Sequence, residues 1–67
     1  MTDEEVRTAA AQFLKNVSAP AQREIEKALR NSLANKKLQG YESVTAAVTF
    51  FSEKAGLDVT IYSKIEL

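Results

Sequence analysis

Sixty-seven residues with nine basic and nine acidic side chains, no cysteine and no histidine make one small domain, exclude disulfides and remove the usual zinc ligand sets. A formal charge of zero argues against a dedicated polyanion binder, and no apolar run approaches the roughly 20 residues of a membrane span. A chain this short rarely retains more than about 3–5 kcal/mol of net stability from its own core, so regular packing or self-association is expected to supply the rest.

The charges are unevenly spread. Asp3, Glu4 and Glu5 make the start acidic, while Arg7, Lys15, Arg23, Lys27, Arg30, Lys36 and Lys37 outweigh Glu24 and Glu26 in the middle. The last part is acidic again. An acidic start of this kind is unlike a basic, apolar signal peptide, and the protein is expected to be soluble and cytoplasmic. A carboxylate-only site for a hard cation has no EF-hand-like spacing behind it, so neither metal nor cofactor is expected.

Thr2 followed by Glu5 has capping-box spacing. Val6, Ala9, Ala10, Phe13, Leu14 and Val17 then recur at helical intervals, with Thr8 and Lys15 opposite, predicting a first amphipathic helix. Pro20 lacks an N–H and disfavours helical geometry at Ala19, so Ser18-Ala19-Pro20 is expected to end that helix. A second helix is predicted to carry Ala21, Ile25, Ala28, Leu29 and Leu33 on one side, with Glu26 and Arg30 paired on its flank. The short connection implies a helical hairpin. Asn35 to Gly40 is expected to end the second helix, with Asn35 left-handed, and Leu38 to plug the open end of the core.

Val44 to Phe51 and Leu57 to Tyr62 alternate around a short turn and predict an antiparallel hairpin. The even-numbered Val44, Ala46, Val48 and Phe50 share a face with the odd-numbered Leu57, Val59, Ile61 and Ile65 only if Val48 opposes Ile61 and Phe50 opposes Val59. That register leaves Glu53–Gly56 as a four-residue loop. Ser63-Lys64 offers a further turn, which would fold Ile65 and Leu67 back as a short third strand; otherwise they extend the second. The expected fold is α+β, in the order α-α-β-β with an optional third strand: a helical hairpin packed on one face of a small antiparallel sheet, over residues 1–67 as one domain.

The string Phe13-Leu14-Lys15-x-Val17, then Gln22-Arg23-Glu24-Ile25-Glu26-x-Ala28-x-Arg30, then Lys37-Leu38-x-Gly40-x-Glu42 resembles a family of small bacterial proteins of unknown function. The resemblance takes in Gly56-Leu57 and the terminal Ile65-x-Leu67 as well. Those motifs are mainly core and capping residues, so the resemblance implies a fold and no activity, cofactor or site residue. The chain departs from the family pattern at Ser18, where a glycine is usual, and at Tyr62-Ser63-Lys64, where an Asp-Gly turn is usual.

Two surfaces stand out as candidates. Phe51 and Tyr62, with Thr49 and Thr60 as small neighbours, fall on the outer sheet face and suit a flat, partly apolar protein contact. Arg23, Lys27 and Arg30, extended by Lys37, form a stripe that could track phosphates, although it is also the outward face of any amphipathic helix. The predicted helix-helix-hairpin order resembles the beginning of the HU-type bacterial DNA architectural proteins, without their long basic arm. With no histidine or cysteine, and no base beside the serines and lysines, catalysis is not expected. The reading favoured is a non-enzymatic interaction module, self-associating as a homodimer through the outer sheet face or an edge. The alternative is a weak nucleic-acid-associated protein using the basic face of the second helix.

Overall fold

The helix begins where the capping chemistry places it. A computed structural model describes residues 1–67, and its first element, α1, spans Asp3–Ala34 with Thr2 as N-cap. The Thr2 hydroxyl accepts from the Glu5 backbone N–H at 3.1 Å, and the Glu5 carboxylate accepts from the Thr2 N–H at 3.1 Å. Two otherwise orphaned donors are thereby satisfied. The Thr2 backbone donor, and then its hydroxyl, hold the Glu5 carboxyl below the usual carboxylate range.

The break expected at Ser18-Ala19-Pro20 does not occur. One continuous helix runs through Pro20, so the helical hairpin is replaced by a single 32-residue rod. Proline removes the N–H that would bond the Asn16 carbonyl, a cost of about 3 kcal/mol in a helix interior. Two features outweigh it. Good helix formers dominate from Ala9 to Lys15 and again from Ala21 to Leu29, and neither Ser18 nor Ala19 can take the left-handed exit cheaply as glycine would. The apolar spacing also crosses the proline unbroken, since Val17 and Ala21 are four residues apart.

The rod ends in a Schellman turn. Lys36 donates to the Leu33 carbonyl at 3.1 Å and Lys37 to the Ser32 carbonyl at 2.9 Å, the two bonds of that motif. The left-handed residue is Lys36, at φ 61, and not Asn35, which caps the helix at φ −85. Gly40 follows at φ 97. Glu42 fixes this link, its carboxylate accepting from the N–H groups of Gln39 at 2.7 Å and Gly40 at 2.9 Å. Those donors, Gln39 first, hold the Glu42 carboxyl low as well.

The strands β1 (Ser43–Ser52) and β2 (Leu57–Glu66) form a two-stranded antiparallel sheet. Val48 pairs with Ile61 and Phe50 with Val59, the register that the hydrophobic alternation requires. The four-residue loop is closed by a bond from the Gly56 N–H to the Glu53 carbonyl at 3.1 Å, with Gly56 at φ 66. No third strand forms. Ser63 and Lys64 pair with Ala46 and Thr45, and Ile65 with Val44, so the ladder simply continues. Neither Ser63 nor Lys64 favours the left-handed geometry of a tight turn, and the ten-residue β1 needs partners along its length. Beyond the ladder the Leu67 N–H still donates to the Glu42 carbonyl at 3.0 Å.

The chain divides into two compact units, Met1–Lys37 and Leu38–Leu67. No residue is buried, and Leu38, expected to plug a core, is half-buried. The helical hairpin expected to supply half of a core is absent, because its two helices are one. One helix cannot cover its own stripe, and a two-stranded hairpin is a single layer that is marginal by itself in water.

Candidate interaction surfaces

The two faces of the hairpin differ in kind. One face alternates Val44, Ala46, Val48, Phe50 on β1 with Ile65, Ile61, Val59, Leu57 on β2. Val48 and Ile61, directly opposite at its centre, remain 47% and 52% exposed. Period-two alternation of β-branched residues is the signature of a face meant to be covered.

The opposite face holds the sequence-predicted contact residues. Thr49 and Thr60 pair directly, their hydroxyls 2.9 Å apart. Phe51 opposes Asp58 and Tyr62 opposes Ala47, so the aromatics lie on one face but about 13 Å apart along it. The threonine pair separates them. They do not form a stacked cluster, although both are strongly exposed, at 69% and 71%. The patch is elongated, with aromatic ends and a hydrogen-bonded polar centre.

The helix carries its own apolar stripe. Val6, Leu14, Val17, Ala21, Ile25 and Leu29 succeed one another at three, four or eight residues, positions that share a side of an α-helix. Val6, Leu14 and Ile25 are about half exposed. Because Pro20 lies within the helix, this stripe is a single surface on one rod. The four-residue step from Val17 to Ala21 was the signal for it, and the proline masked that signal.

The basic residues are placed by the same rod. Arg23, Lys27 and Arg30 lie on its side away from the stripe, while Lys37 sits in the Schellman turn past the helix end. Arg30 is held by Glu26 at 2.8 Å, and Gln22 donates to the other oxygen of the same carboxylate at 3.0 Å. These two contacts, Gln22 first, hold the Glu26 carboxyl below its usual range. Such exposed local pairs are ordinary features of a solvated helix. The element order that resembled the HU-type proteins also disappears once the two predicted helices are one.

No three His, Cys, Asp or Glu side chains are grouped so as to hold a metal ion, and no helix is long and apolar enough to cross a membrane. The chain is thus an α+β protein of one long helix and one hairpin, whose distinctive surfaces are apolar and exposed. It belongs to a family of unknown function, DUF6494, which it matches over residues 1–67. No curated protein and no solved structure matches it.

Proposed function

We propose that this protein is a non-enzymatic interaction module of the cytoplasm that works as a self-associated assembly. One observation carries the reading: apolar side chains recur at helical period along α1 and at strand period along the hairpin, yet none is buried in a single chain. Exposed apolar surface on this scale marks a contact surface in a folded protein. At roughly 25 cal/mol per Å² of apolar area removed from water, covering these faces supplies stabilisation that a helix and a hairpin cannot generate alone.

The outer sheet face adds a second contact, through Phe51 and Tyr62 with Thr49 and Thr60 between them. Aromatic residues beside small ones are typical anchors of protein interfaces. Phe51→Glu is predicted to weaken association by roughly tenfold or more, while leaving the circular dichroism of helix and hairpin intact. Sedimentation velocity over a concentration series measures the effect. A fold that is intact and an association constant that is unchanged remove Phe51 from the interface.

A further inference from the structure

Resting on the self-association proposed above, we infer that β1 pairs edge to edge with β1 of a second copy. The two strands run antiparallel about a two-fold axis at Ala47 and join the hairpins into one four-stranded sheet, in the order β2-β1-β1-β2.

The ladder defines which groups β1 leaves unpaired. Carried one step past Ser43 and Glu66, the register sets Glu42 opposite Leu67, and the Leu67 N–H donates to the Glu42 carbonyl. That bond marks a hydrogen-bonded pair, and such pairs alternate with non-hydrogen-bonded ones along an antiparallel ladder. The even-numbered residues of β1 therefore bond β2. Ser43, Thr45, Ala47, Thr49 and Phe51 aim their backbone N–H and C=O groups the other way, where the sheet has no further strand. By the same rule the outward residues of β2 are Asp58, Thr60, Tyr62, Lys64 and Glu66.

The two edges differ in what guards them. From Ser43 to Ser52 the strand β1 has no charged residue and no proline, and its register runs without a bulge. It lacks each device that keeps a solvent-facing edge from pairing. The outward residues of β2 include two acids and a lysine. Self-pairing of β2 over all five of them sets Asp58 opposite Glu66 twice, like charge against like. Pairing β1 with β2 of the next copy leaves one edge of each kind free and adds copies without closing. Pairing β1 with β1 closes at two copies and leaves only the charged edges outside.

Backbone geometry then selects the register. Outward residues must oppose outward residues, so odd numbers meet odd and even meet even. An axis at Ala47 sets Ser43 opposite Phe51 of the second copy, Thr45 opposite Thr49, and Ala47 opposite itself. All five outward residues then lie in hydrogen-bonded pairs. An axis at Ala46 or Val48 leaves Phe51 or Ser43 with no strand residue opposite. On the other side of the sheet, Val44 meets Phe50 of the second copy and Ala46 meets Val48, so the two apolar faces become one. A pair of an aromatic and a β-branched residue is favourable across strands. Four strands with a shared apolar face pass the size at which a sheet becomes stable, which one hairpin does not reach.

Amide hydrogen exchange, followed by NMR on the unmodified and assembled protein, tests the edge. The N–H groups of Thr45, Ala47, Thr49 and Phe51 are expected to exchange at least about tenfold more slowly than the outward N–H groups of Thr60 and Tyr62. Fast exchange at those four positions in an assembled protein overturns edge pairing while self-association stands. Direction and register are read from a nitroxide on Ser43→Cys, in a chain that has no other cysteine. An axis at Ala47 sets the two labelled positions eight residues apart along the strands, about 27 Å, as pulsed dipolar spectroscopy measures. A separation near 5 Å indicates a parallel pair, and one that differs by about 7 Å indicates the next allowed register. Either result overturns the arrangement about Ala47. A protein that remains monomeric overturns both the pairing and the self-association on which it rests.

Discussion

Replacing Pro20 with alanine is expected to raise helix content and to stabilise the protein by about 2 kcal/mol. The gross gain is near 3 kcal/mol, the penalty of proline in a helix interior, and about 1 kcal/mol is returned because alanine frees the unfolded chain. The new N–H is positioned to bond the Asn16 carbonyl, which has no intrahelical donor in a helix containing Pro20. For a domain of this size the change corresponds to a rise in melting temperature on the order of 10 °C. The prediction follows from one property, that α1 runs without interruption from Asp3 to Ala34. If Pro20 instead marked a turn between two helices, alanine would fuse them and oppose the native geometry, and the melting temperature would fall. Circular dichroism melts of the two proteins at equal concentration distinguish these outcomes.

The second large effect is expected at Val48. It sits at the centre of the apolar hairpin face, opposite Ile61, and the proposed assembly covers that face. Val48→Asp removes a side chain whose full burial contributes about 1.5–3 kcal/mol, and it places a carboxylate where no base opposes it. A loss of more than about 3 kcal/mol is predicted at the concentration where the parent protein is assembled, equivalent to more than a hundredfold weaker association. Thr45→Asp is the matched control. Thr45 lies on the other face, opposite Lys64, where an acidic residue gains an opposite charge and should change stability by less than about 0.5 kcal/mol. Urea midpoints of the three proteins supply the comparison. Equal effects at the two positions would mean that the Val48 face is no more covered in the assembly than the end of the outer face that carries Thr45.

These two sites also mark what was legible in the amino-acid sequence. The register of the hairpin could be read to the residue, because side-chain period two ties register to burial and any slip turns Val48 and Ile61 to opposite faces. The capping box at Thr2 and Glu5 was equally readable, being a local interaction over three residues. Pro20 was misread because the proline penalty is local, whereas the helix-forming tendency that overrides it is summed over both flanks. Ser63-Lys64 was open for the related reason that weak turn chemistry loses to a ladder already running the length of β1. Phe51 and Tyr62 were placed on one face correctly. Their separation by the Thr49–Thr60 pair depends on which residues oppose which, so it emerges only once the ladder is followed residue by residue.

The central claim, that the apolar faces of this helix and hairpin are completed by a second chain, is met most directly by light scattering on the unmodified protein from low micromolar to submillimolar concentration. A dimer or larger species is expected to persist at low micromolar concentration and to be little affected by salt, since apolar burial holds it together. A folded monomer across the whole range would contradict the claim.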